Sequence, residues 1–184
     1  MVAIFDVVRN FGGTDNAPAS EEVVANLRFN AEDTNDQDLA SPIVIPGAGT
    51  EYSYIKHLFL KCTTAPDTQV DNVKLYSDTA LGWGTGVTVF IGDGVQTKNS
   101  GSSAGYDVAD AQEVITNHTH VAAKTDLFSF SLGTPRNMTI SEAGAIIDAI
   151  NETTDYAVLS LEVASTAVAG TKAAETITWQ YDEV

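Results

Sequence analysis

Cysteine is almost absent from this chain of 184 residues: the single Cys62 cannot form an intrachain disulfide. It lies beside Phe59 and Leu60, where a thiol behaves as a small hydrophobe, and nothing reports an oxidising compartment. Positive charge is scarce as well. Lys and Arg total 9 against 25 Asp and Glu, a formal charge of −16, so a phosphate backbone meets net repulsion instead of the basic stripe that nucleic-acid binders use. No run approaches the ~20 apolar residues of a membrane span. The opening MVAIFDVVRNFGG has neither a basic flank nor a small-residue cleavage site, so it is not a secretory signal. The expectation is a mature chain that begins near Met1 and does not enter a bilayer.

Hydrophobic residues make up 43% of the chain and charged residues 18%. At this length one core suffices, and about 70% of the unfolded surface is expected to be buried. Strand periodicity dominates. The segment ending at Phe11-Gly12-Gly13 reads as a short first strand, and Glu22 to Asn30 alternates apolar and polar residues as a half-buried strand does. Pro42-Ile43-Val44-Ile45-Pro46 suits an edge strand. Glu51 to Thr64 is the clearest strand. Its one parity holds Tyr52, Tyr54, Leu58, Leu60 and Cys62, and the other Ile55, His57, Phe59 and Lys61. Asp71 to Ser77, Gly86 to Ile91, Thr125 to Leu132, Tyr156 to Ala164 and Glu175 to Tyr181 complete the set, while Val108 to Val121 fits no template. One helix is expected over Ser141 to Ile150, capped by Ser141 and weakened by Gly144. The sum is an all-β chain, an antiparallel β-sandwich or jelly roll of about nine strands with one short helix, in a single domain over 1–184.

Few patterns carry chemistry. The loop from Asn30 to Asp38 gathers oxygen ligands of the kind Ca²⁺ takes, but read as an EF-hand from Asp33 it has Asp38 where glycine is required and Val44 where a bidentate Glu belongs. It reads as a solvated acidic loop. His118 and His120 share a side in an extended chain and could serve Zn²⁺, but no third ligand is evident. There is no Gly-x-Ser-x-Gly elbow, and Gly82-Trp83-Gly84-Thr85-Gly86 lacks the Lys-Ser/Thr ending of a phosphate loop and reads as a turn. Asn117, Asn137 and Asn151 head formal glycosylation sequons that nothing in the chain would put to use. Tyr52, Tyr54, Tyr76, Trp83 and Tyr106 would make a carbohydrate platform if exposed together, and core or corner filling is the alternative. These patterns give no catalytic, cofactor-binding or metal residue.

The order Ile55-Lys56-His57-Leu58-Phe59-Leu60-Lys61, Asp71-Asn72-Val73-Lys74-Leu75-Tyr76-Ser77-Asp78, Gly82-Trp83-Gly84-Thr85-Gly86 and Glu175-Thr176-Ile177-Thr178-Trp179-Gln180-Tyr181-Asp182-Glu183-Val184 resembles uncharacterised virion proteins of tailed bacteriophages and related archaeal viruses. The resemblance spans most of the chain and consists of strand and turn signatures. It implies a β-sandwich displayed on a virus particle: a capsid decoration protein, or else a tail or tail-fibre component. It also implies the major capsid protein or other virion proteins as partners and a homo-oligomer on the particle; nucleic acid and membrane partners are already disfavoured by the charge and the lack of a long apolar run. No functional residue carries over.

Three readings follow. A non-enzymatic virion protein comes first, with residues 1–11 and the closing strand Ile177 to Val184 as contact edges, since terminal strands can add to a neighbouring sheet. A carbohydrate or host-receptor module would expose several of the named aromatics in one patch. A hydrolase would present two carboxylates about 5–9.5 Å apart in a cleft.

Overall fold

The computed structural model describes residues 2–35, 41–78, 82–108 and 112–184. They form an antiparallel, sandwich-like all-β fold of two sheets. The large sheet contains β1 (Ile4–Phe11), β2 (Ser20–Val23), β3 (Thr50–Tyr52), β4 (Lys56–Thr64), β6 (Val87–Asp93), β7 (Ala123–Asp126) and β9 (Ala157–Ala164), in the order β2-β1-β4-β9-β6-β7 with β3 beside β9. The small sheet is β10-β5-β8, built from β5 (Val70–Ser77), β8 (Arg136–Asn137) and β10 (Ile177–Glu183). Among the described residues no helix is long and apolar enough to cross a membrane.

Alternation places the core. Leu58, Leu60 and Cys62 of β4 and Leu159 and Leu161 of β9 face the small sheet, where Val73 and Leu75 meet them. The opposite parity is also buried. Phe59 and Val158 face a back layer laid down by the chain between β6 and β7, which contributes Tyr106, Ile115 and Val121. Val121 seats on Gly92, where a Cβ would come within 2.5 Å of its Cγ2, so only glycine admits this approach. Strands covered on both sides read as near-continuous apolar runs, as β9 does in Ala157-Val158-Leu159-Ser160-Leu161.

Several expected elements are shorter or different. The single strand expected from Glu51 to Thr64 is two, because the pairing with β9 shifts by one residue between Tyr52↔Glu162 and Lys56↔Leu159. Ser53 sits at this bulge and its hydroxyl accepts from the Leu161 N–H at 2.9 Å. Of the strand expected over Glu22 to Asn30 only Glu22 and Val23 join the ladder, in β2, which begins earlier at Ser20; Leu27 and Phe29 pack on the core from irregular backbone, as do Ile43 and Ile45 of the expected Pro42–Pro46 edge strand. Strand β7 stops at Asp126, whose carboxylate accepts from Phe128 N–H and turns the chain into a 3-10 turn over Leu127–Ser129. The helix expected over Ser141 to Ile150 is absent. In its place is a 3-10 turn at Ala143–Ala145 with Gly144 at φ 75°, a left-handed conformation that an α-helix cannot contain. The Ser141 hydroxyl donates instead to the buried Asp155 carboxylate, which also receives the Lys98 N–H at 2.9 Å and the Thr139 hydroxyl.

A buried ion cluster ties the loop after β2 to the sheet. Arg9 and Lys56, 1% and 0% exposed, stand on adjacent strands. Arg9 meets Glu22 at 2.9 Å and Asp33 at 3.3 Å, and the Lys56 ammonium lies 3.6 Å from Asp33 and donates to the Thr34 carbonyl at 2.8 Å. Burial, helped by the Arg9 charge and opposed by Asp33, lowers the Lys56 amine to about 8. Removing the shared carboxylate leaves the buried Lys56 ammonium facing Arg9 with no carboxylate of its own, while Arg9 keeps Glu22. Asp33→Ala is therefore expected to cost about 3–5 kcal/mol in urea unfolding, whereas Lys56→Met, which removes the cation that burial disfavours, is expected to stay within about 1 kcal/mol of the parent. Equal losses in the two variants would contradict this account of the cluster.

Candidate functional site

The two segments expected to act as contact edges come together at one open side of the sandwich. Tyr181 packs on Phe5 with ring centroids 4.8 Å apart, its hydroxyl donates to the Ala3 carbonyl, and the Glu183 carboxylate accepts from the Ala3 N–H. Beside this clasp lies an open groove of about 340 Å³, walled by Phe5 and Val7 of β1 and by Ile177, Thr178, Trp179 and Tyr181 of β10, with Leu60 between them. The alternation of β10 turns Ile177, Trp179 and Tyr181 inward, yet all three are only half-buried, whereas Val73 and Leu75 on the neighbouring strand are 1% and 0% exposed. Because β5 is the middle strand of its sheet and β10 an edge, the cover over β1 thins out here.

A bulge shapes the far end of β10. Its pairing with β5 slips between Gln180 and Asp182, opposite Asn72, which holds φ at 49°, and the Asn72 amide donates to Asp182. Asparagine tolerates this left-handed conformation better than a branched residue would.

The second polar concentration is internal. His57 on β4 and His118 in the back layer, each 2% exposed, face each other with their Nε2 atoms 2.9 Å apart. The His120 N–H donates to His118 Nδ1, so a neutral His118 carries its proton on Nε2 and gives it to His57 Nε2, which leaves the His57 proton on Nδ1. Tyr106 and Tyr156 surround the pair, and the Tyr106 hydroxyl donates to the Gly12 carbonyl. Burial pushes His118 down to about 4, with Asp107 partly opposing, and burial together with the His118 charge holds His57 well below its usual range. Of the two histidines weighed as a zinc pair, His118 makes this contact with His57 and receives the His120 N–H, with the His118 and His120 ring centroids 5.8 Å apart. Among the described residues no three His, Cys, Asp or Glu side chains gather as a metal-binding set.

The remaining expectations resolve in place. Asp33 of the acidic loop is engaged by Arg9, Lys56 and the Gly12 N–H, and the Asn35 amide bridges to Arg28 N–H and the Asn26 carbonyl; Asp36 to Asp38 lie outside the described residues. Cys62 is buried, and its thiol donates to the Thr64 carbonyl. Gly82, Gly84 and Gly86 take positive φ in the turn before β6. The five aromatics named as a platform do not share one: Tyr106 is buried in the back layer, Tyr76 stands on the small sheet, and Trp83 packs edge-on against Phe29 and Phe128. The sequence offered both terminal segments as contact edges; β10 is an edge strand, whereas β1 lies between β2 and β4, and nothing in the sequence indicated that the two would meet. The His57–His118 contact, across 61 residues, left no local signal.

Histidines held neutral in the folded protein bind protons more readily once unfolded. Stability is therefore complete above the unfolded pKa near 6.5 and falls as pH drops toward about 4, by on the order of 3 kcal/mol for His118 alone. Urea melts across this window should show that loss in the parent and a flatter profile in a His57→Gln/His118→Gln double variant. Parallel profiles would contradict it.

Compared with known proteins, the chain matches no family model, no curated protein and no solved structure, so its site is described by its own geometry alone.

Proposed function

We propose that this chain is a non-enzymatic structural protein of a virus particle, a decoration protein on the head surface that docks through the groove between β1 and β10. The observation that carries the reading is this groove: half-exposed Phe5, Trp179 and Tyr181 between the two terminal strands of a chain with a formal charge of −16. Aromatic side chains at the centre of a patch are the usual anchors of protein interfaces. The strand and turn order that resembles virion proteins of tailed viruses supports the same reading. So does the charge, since many copies crowded on one surface repel each other except where a specific patch is satisfied. Asp33 and the buried Asp155 tie loops to the sheets, and the two buried histidines hold the back layer, which gives these groups internal roles.

Antibody raised against the recombinant protein should label the heads of purified particles of the encoding virus in negative-stain microscopy. Labelling confined to tails would move the protein to the tail or its fibres. Absence of the chain from purified particles, measured by mass spectrometry, would overturn the reading.

A further inference from the structure

We infer that the free edge of β10 accepts an extended strand from a basic partner protein, whose alternate apolar side chains fill the groove against Trp179. The inference rests on reading this groove as the docking face and adds the conformation and charge of what docks there. Among the described residues β10 pairs on one side only, with β5. The Asp78 N–H donates to the directly opposed Thr176 carbonyl, so the alternation of an antiparallel ladder directs Thr178 and Gln180 toward β5 and turns the N–H and C=O groups of Ile177 and Trp179 outward. The opposite strand has the complementary phase: Ser77 N–H, in register with Ile177, points away from β10 to the Phe130 carbonyl.

Edges are commonly protected by lysine, proline, a bulge or a covering segment. The run Ile177-Thr178-Trp179-Gln180-Tyr181-Asp182-Glu183 contains no lysine or proline, and the bulge in its ladder has its extra residue on β5 and lies beyond Gln180, past the outward-facing groups of Ile177 and Trp179. The same stretch presents its inner face half-covered to a groove with room for roughly ten waters. An incoming strand therefore gains main-chain hydrogen bonds and apolar burial together, the combination on which strand addition depends.

Charge selects the occupant. A second copy would bring another chain of −16 to an edge that ends in Asp182 and Glu183, and like charge opposes that approach. A segment with Val or Leu at every second position and Lys or Thr between them places its apolar residues in the groove and its cations outward, beside Asp182 and in the field of a chain of −16.

The probe is a short synthetic peptide of alternating Val and Lys/Thr, tested on the full chain by calorimetry and by hydrogen exchange. Two controls accompany it: the same peptide with Glu for Lys, and a peptide of equal composition with the alternation broken. The alternating basic peptide is expected to bind saturably and to slow exchange of the Ile177 and Trp179 amides at least about tenfold. The acidic peptide is expected to bind at least about tenfold more weakly. Failure of the basic peptide to bind, equal binding of the broken-pattern peptide, or self-association of the chain with protection of the same amides would each overturn the inference. The outcomes separate from those for the function: particles that carry the protein while the peptide fails would sink the strand partner alone, and peptide binding by a protein missing from particles would sink the virion assignment alone.

Discussion

Burial of the centre of the large sheet on both faces is the constraint from which the rest of the structure follows. A strand with one wet face can put its polar residues there; over Lys56–Leu60 of β4 and Ala157–Leu161 of β9 there is none, so both parities must be covered and a polar group buried there costs free energy unless it is hydrogen-bonded. Lys56 finds Asp33 and Thr34, and His57 finds His118. These contacts in turn fix the elements that supply the partners: the irregular segment after β2 is tied down at one end of the sandwich, and the back layer between β6 and β7 is held against the sheet by the histidine pair. The loops act as the missing third layer of the fold.

The two sheets also differ in size. A small sheet of three strands cannot cover the inner face of a sheet of seven. On the β6 side the deficit is closed by the Arg136 guanidinium, which reaches Asp93 and the Gly92 carbonyl, and by aromatic residues after β7. On the β1 side it is closed only in part, by the clasp of Tyr181 on Phe5, and the remainder is the groove. The feature assigned to docking is thus a consequence of sheet architecture and not an ornament on it.

Much of this was legible in the chain. The alternation read over Asp71 to Ser77, Gly86 to Ile91, Tyr156 to Ala164 and Glu175 to Tyr181 located β5, β6, β9 and β10 to within about two residues at each end, and the two apolar parities of the Glu51–Thr64 run already contained the double burial of β4. Periodicity overreached where apolar residues pack from irregular backbone, as Leu27, Phe29, Ile43 and Ile45 do, because a side chain's burial does not require its backbone to join a ladder. It failed at Ser141–Ile150 because the apolar spacing there fits a helix while Gly144 and the pull of Asp155 on Ser141 favour a turn. The groove and the histidine pair arise from strand order, which local patterns do not encode.

In the proposed reading acidity and the groove work together: the charge of −16 keeps copies of the chain apart, and the uncovered margin of β10 is left for a basic partner. The most direct measurement is a cryo-electron microscopy map of the particle with the protein bound. The account predicts density for an extended segment of a neighbouring protein alongside β10, with side chains entering the space beside Trp179. A map in which β10 faces solvent and another surface of the sandwich meets the particle would contradict it.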